Sequence, residues 1–133
     1  MPRPMRVLVV EDFEPFRLFI TSALQKVPGS QIVGEVSDGL EAIRQAEKLQ
    51  PDLILLDIGL PTPNGIEAAR RIRKLAPDCK ILFLSQESSV DVVQEALSVG
   101  ATGYVVKTHA GSYLLFAVEA AREGRHFNDR GFC

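Results

Sequence analysis

Leu53-Ile54-Leu55-Leu56-Asp57 is the segment that decides the fold: four aliphatic residues in succession, preceded by Pro51-Asp52 and closed by a carboxylate. An apolar run of this length between turn signals fits a strand covered on both faces, as strands are in a parallel sheet. Runs of the same kind occur at 7–10, 32–36, 81–84 and 103–106. Between them apolar residues recur at helical spacing. Phe16, Phe19, Ile20, Ala23, Leu24 and Val27 trace one stripe, and Leu40, Ile43, Ala46 and Leu49 trace another. Ile66, Ala69 and Ile72 follow, then Val93, Ala96, Leu97 and Gly100, and last Leu114, Leu115, Val118 and Ala121.

Turn residues punctuate the same division. Pro28-Gly29-Ser30 closes the first helical pattern, Asp38-Gly39 opens the second, Pro51-Asp52 ends it and Gly100 stops the fourth. Pro61-Thr62-Pro63-Asn64-Gly65 is a loop before the third helix, with Asn64-Gly65 read as a turn of positive backbone φ. The outcome is five strand–helix units. Strands alternating with helices imply right-handed crossovers and a parallel sheet with helices on both faces. The expected domain covers residues 1–124, and 125–133, where periodicity is lost, reads as a tail or the start of a linker.

A chain of 133 residues is one domain's worth, and 46% hydrophobic with 24% charged residues is an ordinary globular balance. Roughly two thirds of the unfolded surface can be buried at this size, so the core needs no staples. Fifteen Lys and Arg against seventeen Asp and Glu give a net charge of −2. That argues against tight nucleic-acid binding by this segment alone, which would need clustered cations. No apolar run approaches the ~18 residues of a membrane span, and the start lacks the apolar region of a signal peptide. Cys79 and Cys133 have neither metal-site spacing nor a disulfide framework, so the expected compartment is a reducing cytoplasm.

In open α/β sheets ligands bind beyond the carboxyl ends of the strands, where strand order reverses. The first strand runs into Glu11-Asp12, the third ends on Asp57, the fourth on Ser85 and the fifth on Lys107. One such carboxylate is ordinarily a helix cap or a solvated loop start; three, with a hydroxyl and a lysine at the same edge, are harder to dismiss. With strand order 2-1-3-4-5, the first and third strands are neighbours about 4.8 Å apart, and Glu11, Asp12 and Asp57 share one pocket. Carboxylates that close raise one another's pKa unless a cation joins them. An all-oxygen donor set with water access suits Mg²⁺ or Mn²⁺ rather than Zn²⁺. Acid, metal affinity, a hydroxyl and a fixed cation together suit a phosphoryl group that one carboxylate can attack.

The segments Val7-Leu8-Val9-Val10-Glu11-Asp12, Asp57-Ile58-Gly59-Leu60-Pro61-Thr62-Pro63-Asn64-Gly65-Ile66-Glu67-Ala68, the strand ending at Ser85, and Gly100-Ala101-Thr102-Gly103-Tyr104-Val105-Val106-Lys107 resemble the receiver domain of bacterial two-component response regulators. The resemblance runs from about Met5 to Gly124 and is nearest the branch that carries a C-terminal LuxR-type helix-turn-helix. It implies a flavodoxin-like (βα)5 three-layer sandwich with a parallel five-stranded sheet of order 2-1-3-4-5. It implies Asp57 as acceptor of a phosphoryl group from a sensor histidine kinase, with self-phosphorylation and self-dephosphorylation but no substrate turnover. Asp12 and Asp57 would bind Mg²⁺ (or Mn²⁺) with the Gly59 backbone carbonyl, and Glu11 directly or through water. Ser85 and Lys107 would contact the phosphoryl oxygens, and Tyr104 would turn inward as Ser85 moves toward the phosphate. The face that changes would be the fourth helix, fifth strand and fifth helix. Phosphorylation would promote a homodimer there or through the first and fifth helices, and DNA would be met only through an output domain outside this chain.

Three positions depart from the commonest pattern. Thr108 follows Lys107 where proline is usual, Gln86 follows Ser85 where a small residue is frequent, and Thr62-Pro63 stiffens the loop after Asp57. None removes a reacting group. Tyr104 also has an ordinary reading as half-buried packing on an edge strand, His109 and His126 read as solvent-facing, and Cys79 as a small buried residue. A phosphatase of the haloacid-dehalogenase kind would need a second Asp where Gly59 stands. A flavin-binding flavodoxin would need a Ser/Thr/Gly-rich phosphate loop in place of Glu11-Asp12-Phe13-Glu14, and a dinucleotide domain would need GxGxxG. A receiver that serves only as an unphosphorylated interaction module is the remaining rival.

Overall fold

Along β1 (Met5–Val10) successive side chains leave the sheet on opposite sides, so Val7 and Val9 enter one core while Leu8 and Val10 enter another. β3 (Leu53–Asp57) and β4 (Lys80–Ser85) repeat that division, and every residue from Leu53 to Leu56 is fully buried. The computed structural model describes residues 3–61 and 63–128. With β2 (Ser30–Val36), β5 (Gly103–Val106) and β6 (Phe127–Asn128) these strands form one parallel sheet of order β2-β1-β3-β4-β5-β6. The expected order 2-1-3-4-5 is present, and helices cover both faces. α1 (Glu14–Leu24) and α5 (Ala110–Arg122) pack Ile20, Leu24, Leu114 and Val118 against one face. α2 (Gly39–Leu49), α3 (Gly65–Leu75) and α4 (Val90–Ser98) pack Ile43, Ile72 and Val93 against the other.

The sixth strand differs from the sequence expectation. It comes from the segment read as a tail, and it pairs Phe127 with Gly103 and Asn128 with Tyr104. Two residues are too few to show a period, and their pairing depends on the groups that β5 leaves unpaired. Asn64-Gly65 also differs: Asn64 is extended, with φ −68°, and caps α3 by accepting a hydrogen bond from the Glu67 amide at 3.0 Å. Gly65 is the first residue of that helix, and close packing is what requires a glycine there. A Cβ at Gly65 would lie 2.2 Å from the Asp57 carbonyl oxygen and 2.6 Å from Ile58 Cα. The proposed stiffening by Thr62-Pro63 rests on Thr62, which lies outside the described residues.

Helical periodicity correctly groups residues by face but overstates how much of each stripe is covered. Phe19, Leu40 and Leu115 belong to their stripes yet are 38%, 46% and 38% exposed. Phe19 and Leu115 lie on the two helices of the α1–α5 layer, where Phe13, Leu18 and Phe116 are also exposed. From Ala110 to Val118, α5 carries no charged residue.

Because the start of α3 is pressed against the end of β3, Gly65→Ala is expected to destabilise the protein by about 1–3 kcal/mol, the usual cost of overpacking. Urea denaturation reads this. A variant as stable as the wild type would show that α3 can lift off the strand without loss.

Candidate functional site

Parallel pairing of β1 with β3 sets Val10 beside Leu56, so the next residues on each strand, Glu11 and Asp57, emerge side by side. Glu11 is fully buried, Asp57 is 3% exposed, and Asp12 stands exposed at the rim. One carboxylate oxygen from each of the three lies within 4.8 Å of the others. On the neighbouring strands Ser85 closes β4 and Val106 pairs with it, which brings Lys107 over the same edge. The Lys107 ammonium sits 2.9 Å from Glu11 Oε1 and 3.1 Å from Oε2, donating its hydrogen bond to Oε2, and 3.3 Å from Asp57 Oδ1. Asp12, Asp57, Ser85 and Lys107 line a cleft of about 720 Å³ that also contains Ile58, Gly59, Gln86 and Thr108, with Glu11 buried beneath it.

Local turns aim the groups. The Gly59 amide donates to Asp57 Oδ1 at 2.9 Å, which turns the chain back beneath its own carboxylate. The Phe13 amide donates to Glu11 Oε2 at 3.1 Å, and the Arg17 guanidinium donates to the Glu11 carbonyl at 2.9 Å. Glu11 Oε1 is buried and receives no hydrogen bond, the lysine beside it being aligned on Oε2. Burial pushes the Asp57 carboxyl from an ordinary 3.8 up to about 6. The Gly59 amide and Lys107 oppose that rise, and the Glu11 charge and Asp12 add to it.

The donor set fits a divalent cation. Three carboxylates and one ammonium leave a formal charge of −2, all donors are oxygens, and a buried carboxylate oxygen lacks a hydrogen bond. Gly59 lies on the turn directly after Asp57, and a Cβ built there would be 3.5 Å from Asp57 Oδ1.

Ser85 and Tyr104 meet at one backbone unit. Ser85 Oγ accepts from the Glu87 amide at 2.9 Å, and the Tyr104 hydroxyl donates to the Glu87 carbonyl at 2.7 Å. Ser85 thus keeps its own O–H to donate into the cleft. Tyr104 is fully buried in the core that α4 covers, not half-buried on an edge, and β6 lies outside β5.

Sequence reasoning missed the aromatic wall. Phe13 and Phe16 line the cleft, and the Phe16 ring centre is 5.0 Å from the Lys107 ammonium. Phe16 reads in sequence as a core residue of the α1 stripe, and its position one turn after Asp12 was the available signal. His109 is exposed but not isolated, its ring meeting Tyr113 edge-on at 6.3 Å. Cys79 is buried as expected, and burial pushes its thiol up to about 12, which leaves it inert.

A doubly wound α/β sandwich with an acidic, lysine-bearing cleft at its topological switch point defines a class of phosphoryl-handling signalling domains. Residues 7–119 match the family model described as the response regulator receiver domain. The transcriptional regulatory protein LiaR of Bacillus subtilis is 35% identical over 120 residues, which are 90% of this chain and 57% of LiaR. A LuxR-family two-component response regulator from Aurantimonas superposes with a TM-score of 0.88 at 32% identity, covering 93% of this chain and 89% of that one. The signal receiver domain of NarL from Mycobacterium tuberculosis gives 0.87 at 30% identity, covering 93% of this chain and all of that domain. The chain belongs to the response regulator receiver family, whose members take phosphate from histidine kinases. It spans little more than half the length of the curated relatives it matches.

The raised Asp57 pKa has a definite sign for stability. The folded protein holds that proton more tightly than the unfolded chain, so Asp57 costs nothing below pH 3.8 and increasingly destabilises the fold as pH rises through about 6. In the absence of divalent metal, Asp57→Asn is expected to be more stable than the wild type at pH 7.5 by about 1–3 kcal/mol. The gap should close toward pH 4. Urea midpoints across that range test it, and a wild type that gains on the variant with rising pH would refute the burial argument.

Proposed function

We propose that Asp57 is the phosphoacceptor, that Glu11, Asp12, Asp57 and the Gly59 carbonyl hold Mg²⁺, and that Ser85 and Lys107 bind the phosphoryl oxygens. The observation that carries this reading is the cluster of three carboxylates at the ends of β1 and β3, two of them held by one ammonium, with its surplus of two negative charges. The Gly59 amide and Lys107 engage Asp57 Oδ1, so Oδ2 is the atom that attacks. The O–P bond forms as the P–N bond of a phosphohistidine breaks, and the imidazole leaves. When bound, the metal supplies charge neutralisation to the transferring phosphoryl group. Lys107 adds a second positive charge and Ser85 a hydrogen-bond donor, so this chain contributes positioning and electrostatics, which is most of what phosphoryl transfer requires. Water later cleaves the acyl phosphate and restores the carboxylate.

Transmission runs through Ser85. A phosphoryl oxygen accepts the Ser85 O–H, and drawing Oγ forward pulls it away from the Glu87 amide that donates to it, so the loop between β4 and α4 must readjust around Tyr104. We place the resulting self-association on the α1–α5 layer, where Leu18, Phe19, Leu115 and Phe116 are exposed and the first nine residues of α5 are uncharged. The receiver runs from the first strand through β6, a few residues past the boundary at 124 expected from the sequence, and an output segment would be reached beyond it. Control of transcription through such a segment follows the relatives' description as transcriptional regulators. No helix among the described residues is long and apolar enough to cross a membrane, and a cytoplasmic histidine kinase domain is the partner this reading requires.

Incubated with acetyl phosphate and Mg²⁺, the protein should gain the mass of one phosphoryl group, and Asp57→Asn should not. Asp12→Ala should lose Mg²⁺ binding by calorimetry, Lys107→Ala should label but fail to change the α4–β5–α5 amide exchange, and Gln86→Ala should alter adduct lifetime more than its formation. Labelling of Asp57→Asn, or equal labelling in chelator, would overturn the assignment.

Sedimentation velocity with beryllofluoride should show a concentration-dependent dimer that Phe116→Glu abolishes without affecting labelling. A dimer that survives Phe116→Glu would place the interface elsewhere.

A further inference from the structure

Lys107 makes two kinds of contact. Its ammonium meets the carboxylates of Glu11 and Asp57 at 2.9–3.3 Å, and it lies 5.0 Å from the centre of the Phe16 ring. Only 12% of the Lys107 side chain is exposed, so the ammonium is largely out of water, where attraction to an aromatic face is strongest. Phe16 is itself held from behind: its ring stacks on Phe19 at 5.4 Å with 27° between the planes. The ring thus packs between the ammonium and a second aromatic of its own helix.

The two carboxylates that hold Lys107 are also ligand candidates for the divalent cation. A cation seated on them neutralises the attraction that keeps the ammonium in place and adds repulsion of its own. The face of Phe16 has no lone pair to lose to a metal, so its attraction persists when the carboxylates are engaged. Among the described residues it is the one contact of the ammonium with a group other than a carboxylate. On the reading of Asp57 as phosphoacceptor, we propose that Phe16 is a positioning residue that keeps the Lys107 ammonium over the cleft once its carboxylate partners are taken. An apolar side chain of similar size fills the same space without a quadrupole, and only the aromatic face carries this role.

Three proteins test it: wild type, Phe16→Leu and Phe16→Tyr. In metal-free protein the ε-methylene protons of Lys107, lying over a ring, should resonate upfield in wild type and Phe16→Tyr, and return to ordinary positions in Phe16→Leu. In saturating Mg²⁺, labelling by acetyl phosphate should slow by about three- to tenfold in Phe16→Leu, the span of one such contact, and stay within about twofold of wild type in Phe16→Tyr. In a Lys107→Met background, Phe16→Leu should cause no further slowing. An unshifted Lys107 signal in the wild type, undiminished labelling by Phe16→Leu, or an equal fall in the Lys107→Met background would each overturn the proposal. A wild type that shows the upfield shift but never labels would overturn the phosphoacceptor reading and leave the Phe16–Lys107 contact standing.

Discussion

A single ammonium among carboxylates is the constraint on which this sheet edge depends. Glu11 and Asp57 are both buried, and two carboxylates so placed repel each other and lose their hydration. Lys107 offsets both from a position 96 residues beyond Glu11, at the end of a strand separated from β3 by β4. The order β1-β3-β4-β5 brings that lysine and those two acids to one edge of the sheet. Topology and electrostatics are thus a single requirement: the pocket is tolerable because the sheet is wound this way, and its residual negative charge is what a metal ion can use.

The same economy governs the loop after β4. Glu87 is held at its amide by Ser85 and at its carbonyl by Tyr104, so one peptide segment links a residue facing the cleft to a ring buried beneath α4. Hydrogen bonds to a shared backbone segment couple the two side chains more tightly than packing alone would. Ser85 and Tyr104 are thus joined through one residue, Glu87, and the coupling is local.

Much of this was legible in the chain itself. Continuous aliphatic runs marked the strands because a parallel sheet is covered on both sides, and the acids and lysine were visible because each directly follows such a run. What sequence could not show was which element covers which. Phe16, Ile20 and Phe19 share a stripe, but only the position of α5 decides that Ile20 is buried, Phe19 exposed and Phe16 beside an ammonium. Asn64-Gly65 has the composition of a turn. It became a cap because α3 begins against the Asp57 carbonyl, a contact between residues whose spacing in space no local pattern encodes. Tyr104 read as an edge residue because the strand outside it is two residues long.

That short strand has a consequence for where this fold can be cut. Without Phe127 and Asn128, β5 would lose its partner strand beside Gly103 and Tyr104 and become the edge of the sheet, where another extended chain can pair. Phe127 also sets its ring 5.8 Å from Tyr113, tying the end of the segment back to α5. A fragment trimmed where helical periodicity stops, at about residue 124, would keep every residue of the acidic cleft and yet be a stickier molecule. The folded unit therefore includes a strand a few residues beyond its last helix.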